Sequence, residues 1–241
     1  MEKIFTQDYC VRHNETDYSG KLSLPALGDC LLDVAGHHAI DIKFGIDSLQ
    51  HQGLTWVISG MKFNIYRMPA INSLFKIKTY VSGFSRIATQ RDFVVYDDNG
   101  KIAEASSEWL VLNMEKRRPV FISDLFPQLG DVCLTDSPLP RYKHLRTFEA
   151  PVSAQETRRV AYSDIDINRH LYSMRYLQMA LDTFDIEYIA KHTISSVDVN
   201  FISEVLYGQT VDVVRHGDGD VHGMEMLRDG SAVFRAEFRM G

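Results

Sequence analysis

Two long amphipathic helices are predicted by the spacing of apolar residues along the chain. Apolar side chains that recur three and four positions apart form one buried face of a helix. This spacing occurs twice, at Leu24, Leu27, Leu31, Val34 and Ala35 and again at Leu171, Met174, Leu177, Leu181 and Phe184. The first helix is expected to begin near Ser23 or Leu24, because Pro25 is tolerated in a first helical turn.

A second pattern, the alternation of apolar and polar residues, predicts strands. It occurs at 60–66 and at 196–202, where one face of a strand would be buried and the other polar. Two tight hairpins are indicated by Asp98-Asn99-Gly100 and by Asp229-Gly230, because these residue types accept the backbone angles of short turns.

The two halves of the chain repeat this order of elements. Three pairs of segments align: 11–17 with 160–166, 60–66 with 196–202, and 92–100 with 225–230. Each half then consists of a short strand, one long helix and several antiparallel strands. Similarity at so long a period indicates a duplication.

The predicted fold class is α+β, a tandem (double) hotdog fold in which each half is an antiparallel sheet wrapped around one long helix. The predicted domains are an N-terminal hotdog at 1–126, a linker at 127–151 and a C-terminal hotdog at 152–241.

The linker prediction depends on proline content and on the lack of any periodicity. Four of the seven prolines lie in it, Pro127, Pro138, Pro140 and Pro151. It also carries a basic cluster, Arg141, Lys143, His144 and Arg146. A solvated connector is the favoured interpretation, and a docking patch for an acidic partner is the alternative.

Composition narrows the classes of function. The formal net charge is 26 − 32 = −6, so the chain has no global basic field for nucleic acid or for an anionic membrane. No apolar run reaches the roughly 18 residues of a membrane helix. The first residues lack the apolar core of a secretory signal. Three widely spaced cysteines argue against a disulfide framework or a cysteine-based zinc site, and a reduced, cytoplasmic protein is expected.

Candidate chemistry is concentrated in 163–170, just before the second predicted helix. Polar Asp164, Asp166 and Asn168 alternate with Ile165 and Ile167. An extended backbone would point the polar groups one way and the isoleucines into the core. The unpaired N–H groups that begin a helix would then suit a developing oxyanion.

Structural roles are the alternative for each of these residues. Asp166 or Asn168 would serve equally well as a helix N-cap. His170, taken alone, is more often a hydrogen-bonded structural histidine than a catalytic one.

Four segments, in this order, resemble the acyl-acyl-carrier-protein thioesterases, the family of the plant plastid enzymes and their bacterial relatives. These segments are 54–61, 67–69, 105–113 and 164–170, and the resemblance covers nearly the whole chain. It implies a double hotdog enzyme of fatty acid biosynthesis, a hydrolase that releases free fatty acid from acyl carrier protein. It also implies that no metal and no organic cofactor are needed.

The resemblance places the catalytic residues at Asp166, Asn168, His170 and Glu204. Plant members have a cysteine directly after the glutamate, where this chain has Val205, so a thiol nucleophile at that position is excluded. By strict alternation Glu204 would lie on the same face as Ile202, so a bulge or the end of the strand must set its direction.

The internal repeat assigns the chemistry to the second half. Ser19, Lys21 and Met68 of the first half align with Asn168, His170 and Glu204, so the first half lacks the polar set. The resemblance then gives the first half the acyl pocket. Trp56, Ile58 and Met61 are candidate lining residues for it, although each one taken singly is more easily explained as core.

Several alternatives stay open at this point. Glu204 or Asp166 would act as general base for an attacking water, or Asp166 would attack the thioester directly. The expected partner is an acyl carrier protein bearing a fatty acyl chain, with no nucleic acid and no membrane. An acyl-CoA thioesterase and a non-catalytic acyl-binding hotdog module are the other candidates. The chain would be a monomer, as an internal pseudo-dimer, or a homodimer.

Overall fold

The computed structural model describes residues 2–135 and 139–241, which divide into two compact units between Arg141 and Tyr142. The first unit contains helices α1 Leu24–Asp41, α2 Ile46–Gln50, α3 Ile122–Leu125 and α4 Leu129–Val132, and strands β1 Ile4–Cys10, β2 Leu54–Ile65, β3 Leu74–Phe84, β4 Ala88–Asp97, β5 Gly100–Asn113 and β6 Arg118–Pro119. The second contains helices α5 Ser173–Leu181 and α6 Ile186–Lys191, and strands β7 Val152–Arg159, β8 Ile194–Phe201, β9 Thr210–His216, β10 Val221–Arg228 and β11 Ser231–Met240. Among the described residues, none of the helices has both the length and the apolar character required to cross a membrane.

The first unit is an antiparallel sheet with one long helix. Its strand order is β1-β3-β4-β5-β2, and the short β6 pairs with β5. Helix α1 contacts β1 and β3, and the five residues of its predicted apolar face are all buried. Ser23 caps the helix by accepting the Ala26 N–H at 3.3 Å, and Pro25 lies in the first turn. The predicted start of this helix is therefore confirmed.

The second unit repeats this architecture with a shorter helix. Its strand order, β7-β9-β10-β11-β8, places each strand as its counterpart is placed in the first unit. Helix α5 spans only nine residues. Leu171 and Phe184 are buried but lie outside it, and Leu181 is only half-buried. The helix was predicted correctly, whereas its extent was overestimated.

The strand and hairpin predictions are also confirmed. Segments 60–66 and 196–202 lie largely within β2 and β8. Asp229 and Gly230 both have positive φ, 51° and 75°, as a tight β10–β11 turn requires. Two units, each with an antiparallel sheet and one main helix, give the chain the double hotdog fold.

The predicted linker, 127–151, is not a solvated connector where it is described; Pro138 lies outside the described residues. Leu129 and Val132 of α4 are buried in the first unit. Arg141 binds the buried Asp92 carboxylate at 2.6 Å. In the second unit the Phe148 ring occupies the space where any side chain at Gly223 would lie.

Two of the four residues of the basic cluster form ion pairs, one in each unit. Besides the Arg141 ion pair, Lys143 lies 2.8 Å from Glu237 and donates its backbone N–H to Asp198 at 2.8 Å. The segment thus packs along each sheet through paired charges, and the alternative of a docking patch loses two of its four basic groups.

A buried histidine makes the stability of the first unit dependent on pH. His38 has no exposed surface and accepts a hydrogen bond at Nδ1 from Arg91 at 2.8 Å, while Nε2 lies 3.3 Å from the Glu2 carbonyl. Burial and the Arg91 charge lower the pKa of His38 from 6.5 to about 4, although Asp41 acts in the opposite direction. Between these two values the unfolded chain binds the proton and the folded chain does not.

Acidification is therefore expected to destabilise the protein through His38. Its contribution is complete above pH 6.5 and is lost as the pH falls toward 4, about 2 kcal/mol between pH 7 and pH 5. Denaturant unfolding of the wild type and His38→Gln at both pH values measures this term. Glutamine can accept from Arg91 but does not titrate, so an equal loss of stability in both proteins would contradict the prediction.

Candidate active site

A tight hairpin, not an extended strand, carries three of the four predicted catalytic residues. Ile165 pairs with Leu171 in an antiparallel bridge, and the Asp166 N–H donates to the His170 carbonyl at 2.9 Å. Ile167 at the tip is 81% exposed, so the expectation that it points into the core is wrong. The alternating sequence therefore belongs to a chain reversal, and Ile167 faces solvent at its tip.

Asp166 stabilises this hairpin. Its Oδ1 atom accepts the N–H of Asn168 at 2.8 Å and the N–H of His170 at 3.0 Å. The N-cap of α5 is Tyr172, so the alternative of an Asp166 or Asn168 helix cap is wrong. The hairpin fixes the direction in which His170 leaves the backbone.

Glu204 lies in the loop after β8, which ends at Phe201. The N–H groups of Ile202 and Ser203 both donate to the Val233 carbonyl, at 2.9 and 3.1 Å, and this turns the chain out of the strand. The end of the strand, rather than the alternation within it, therefore sets the direction of Glu204.

The Glu204 loop is joined to the hairpin by backbone hydrogen bonds. Leu171 donates its N–H to the Val205 carbonyl at 2.7 Å, and His170 forms a bridge with Leu206. The side chains of His170 and Glu204 then meet, with His170 Nε2 3.2 Å from Glu204 Oε2. They are 27% and 33% exposed, so the pair is reachable from solvent.

Two residues that support Glu204 were not predicted from the sequence. The buried Tyr176 hydroxyl donates to the Ser203 carbonyl at 3.4 Å and accepts the Val205 N–H at 3.1 Å. Burial raises the pKa of Tyr176, which keeps the phenol protonated. Arg228 donates to the Glu204 carbonyl at 2.6 Å. A tyrosine on an otherwise apolar helix face was a signal for the first, whereas nothing in the pattern pointed to Arg228.

The first unit contains the same hairpin without the polar pair. Asp17 Oδ1 accepts the N–H of Ser19 at 2.8 Å and that of Lys21 at 3.3 Å, as Asp166 does in the second unit. Lys21 forms a bridge with Ala70, the counterpart of Leu206. The predicted register, in which His170 matches Lys21 and Glu204 matches Met68, is therefore confirmed.

The start of α5 offers backbone donors. The Tyr172 N–H is used by the Asp164 carbonyl at 2.8 Å, and the Arg175 N–H by the Tyr172 carbonyl at 2.8 Å. Within 2–135 and 139–241, the N–H groups of Ser173 and Met174 have no acceptor. They carry the partial positive charge of a helix N-terminus.

The predicted acyl-pocket residues lie in the first unit. Trp56 donates its indole N–H to the Phe44 carbonyl at 2.8 Å and stacks on Phe126 at 5.8 Å between ring centroids. Met61 has no exposed surface, and Ile58 is half-buried. Trp56 and Met61 therefore belong to the apolar interior of that unit.

Two protein-family profiles match this chain. The profile of the Acyl-ACP thioesterase N-terminal domain matches residues 2–128, and that of the Acyl-ACP thioesterase C-terminal domain matches residues 149–233. The chain belongs to the acyl-ACP thioesterase family. The family profiles thus cover both units.

Several relatives of this acyl-ACP thioesterase family member have related sequences or structures. The chloroplastic oleoyl-acyl carrier protein thioesterase of Coriandrum sativum is 24% identical over 86% of this chain, which spans only 61% of that protein. The structure of an acyl-ACP thioesterase from Bacteroides thetaiotaomicron aligns with a TM-score of 0.89 at 29% identity, covering 99% of this chain and 98% of that one. The 12:0-ACP thioesterase from Umbellularia californica has a TM-score of 0.90 at 17% identity, covering 100% and 98%, and shares the fold.

Cysteine chemistry is absent from the two loops of this acyl-ACP thioesterase family member. Val205, which directly follows Glu204, is completely buried. Cys10 lies in β1, and Cys30 lies in α1, where burial raises the pKa of its thiol to about 12. The reactive groups that the structure brings together are an imidazole and a carboxylate.

Proposed function

We propose that this chain hydrolyses fatty acyl thioesters of acyl carrier protein to free fatty acid and carrier thiol. The observation that carries the proposal is the 3.2 Å contact between His170 and Glu204 in a member of this family. The matching positions of the first unit hold Lys21 and Met68, which cannot form such a pair.

In the proposed mechanism, Glu204 and His170 act together on one water molecule. Glu204 accepts the water proton as oxygen attacks the thioester carbonyl carbon, and His170 orients the carboxylate. The carbon–sulfur bond then breaks, and the transferred proton leaves with the thiol. Asp166 has one carboxylate oxygen committed to two backbone N–H groups, which favours Glu204 as the base.

Other groups of the second unit support the same step. Asn168 is half-buried in the same hairpin as His170, and its side chain would hold the water or the thioester. The N–H groups of Ser173 and Met174 would stabilise the oxyanion, because preorganised donors act most strongly where charge develops. The acyl chain is assigned to the first unit, with Trp56, Ile58 and Met61 as candidate lining residues.

The compartment belongs to the same proposal. Cys10, Cys30 and Cys133 are all free thiols. Unpaired cysteines are typical of a reducing environment, so we propose the cytoplasm.

Release of free fatty acid from purified substrates tests the function. The names of related proteins include dodecanoyl and oleoyl carrier esters, so a panel from dodecanoyl to oleoyl is appropriate. Each chain is supplied on acyl carrier protein and on coenzyme A, and the product is measured by mass spectrometry. Faster hydrolysis of the carrier esters is expected. Preference for the coenzyme A esters, or carrier binding without release, would contradict the proposal.

A further inference from the structure

We propose that the surface around the His170 hairpin and the Glu204 loop is the docking face for the acyl carrier protein. The docking face is defined by Arg159, Arg169, Arg175, Ile167 and Tyr207, all in the second unit. This inference rests on the proposed function, because it assumes that an acidic carrier delivers the thioester. It adds where that carrier binds.

Apolar side chains are exposed on both loops that carry the catalytic pair. Ile167 at the hairpin tip is 81% exposed, and Tyr207 in the Glu204 loop is 55% exposed. Leu206 between Glu204 and Tyr207 is 39% exposed. Single exposed apolar residues need no explanation, but several on two adjoining loops indicate an interaction site.

Three arginines flank these loops without a carboxylate partner. Among the described residues, no Asp or Glu oxygen lies within 4.0 Å of the guanidinium groups of Arg159, Arg169 and Arg175. Arg158 differs, because it lies 2.6 Å from Glu156. In a chain with a net charge of −6, uncompensated positive charge at this place favours an acidic partner.

Two of these three arginines line a groove beside the hairpin. Arg159 and Arg175 line it together with two acids, Asp164 and Asp182. The Asp164 carboxylate accepts the Ala161 N–H at 2.8 Å, and Asp182 lies 3.9 Å from Arg158. Arg158 also lines the groove, so three arginines face two acids there.

Comparison with the first unit shows that the hairpin itself requires none of the three arginines. The positions that match Arg159, Arg169 and Arg175 in the shared register are Cys10, Gly20 and Ala26. The same hairpin therefore forms without any of the three arginines. At these positions, arginines occur only in the unit that also carries His170 and Glu204.

Arg169 has an unusual backbone conformation for a residue with a side chain. Its φ is 63°, in the left-handed region, and Gly20 has a φ of 73° at the matching position. Glycine adopts this conformation without the steric cost that a side chain carries. This strained position therefore presents an exposed arginine directly before His170.

The docking face also surrounds the two loops that carry His170 and Glu204. The Arg169 carbonyl accepts the Tyr207 N–H at 3.4 Å, which joins the two loops. The Arg159 guanidinium lies beside Gly208, the residue after Tyr207. A carrier that delivers its thioester to His170 on a flexible arm therefore approaches these side chains.

Paired substrates that share one acyl chain test the docking face. One is acylated carrier protein, and the other is the same acyl group on pantetheine, which has no protein part. For the Arg159→Glu/Arg175→Glu variant and for Tyr207→Ser, KM for the carrier ester is expected to rise about tenfold or more. kcat/KM for the pantetheine ester is expected to change less than about twofold, because the chemical groups are untouched. Lys191→Glu, a charge reversal at an exposed position of α6, is the matched control and is expected to leave both substrates unaffected.

Each outcome is decisive. Unchanged KM for the carrier ester in both variants would overturn the docking face and leave the proposed function standing. Equal losses on both substrates would assign these residues to folding or chemistry instead of docking. If the wild type hydrolyses neither ester, the proposed function fails. Direct titration of holo-carrier protein into wild type and variants then still tests the docking face, and equal affinities would overturn it.

Discussion

Glu204→Gln is expected to lower kcat for carrier-ester hydrolysis by at least about a hundredfold. Glutamine keeps the size of the side chain and can still lie 3.2 Å from His170, but it cannot accept a proton from water. Glu204 is one third exposed, so its replacement leaves no buried charge without a partner and stability should be nearly unchanged. Single-turnover kinetics with saturating enzyme measure the effect on the chemical step.

The coupling between Glu204 and His170 provides the control. If the two act as one unit, His170→Asn and the double variant are each expected to lose about as much as Glu204→Gln alone. Glu187→Gln, on the exposed first turn of α6, removes an acid of the same type outside the proposed site and is expected to retain full activity. Two single losses that multiply in the double variant would show that the residues act independently and would contradict the proposed mechanism.

Asp92→Ala is expected to reduce the free energy of unfolding by about 3 kcal/mol. The Asp92 side chain is fully buried and accepts the Leu139 N–H at 2.8 Å and the Arg141 guanidinium at 2.6 Å. Alanine leaves both donors without that acceptor. Arg141 is 29% exposed and can be partly hydrated, so the cost lies at the lower end of that for a broken buried pair. Denaturant titration measures it.

Asp92→Asn separates charge from hydrogen bonding at this position. Burial raises the pKa of Asp92 although Leu139 and Arg141 favour its ionised form. A neutral asparagine is therefore expected to cost less than alanine, about 1 kcal/mol. An alanine variant as stable as the asparagine variant would show that the 139–141 segment contributes little to the first unit.

The fold was predictable because its signals are local and repeated. The spacing of Leu24, Leu27 and Leu31 and the Asp229-Gly230 turn each depend on neighbouring residues. The internal repeat then supplied the register that pairs His170 with Lys21 and Glu204 with Met68. Patterns of this kind need no knowledge of distant contacts.

The errors arose where distant contacts decide the structure. The alternation through 164–168 was interpreted as an extended strand. The chain turns there instead, and Ile167 is exposed on the turn. The 127–151 segment was interpreted as a connector from its prolines. The ion pair that packs it onto the first unit joins Arg141 to Asp92, 49 positions away, and no local pattern reveals such a contact. The direction of Glu204 was correctly assigned to a bulge or to the end of the strand, but its supporting contacts with Tyr176 and Arg228 were missed because local alternation contains neither.

The duplicated hairpin has a consequence for how this chain tolerates mutation. Asp17 and Asp166 hold the same turn by the same hydrogen bonds, yet only one turn bears an imidazole opposite a carboxylate. Under the proposed mechanism, positions 21 and 68 are constrained by folding alone, whereas positions 170 and 204 are constrained by both folding and reactivity. The first hairpin is then a scaffold of the same geometry without the reactive pair, and a second reaction centre could be engineered into it by placing histidine at position 21 and glutamate at position 68.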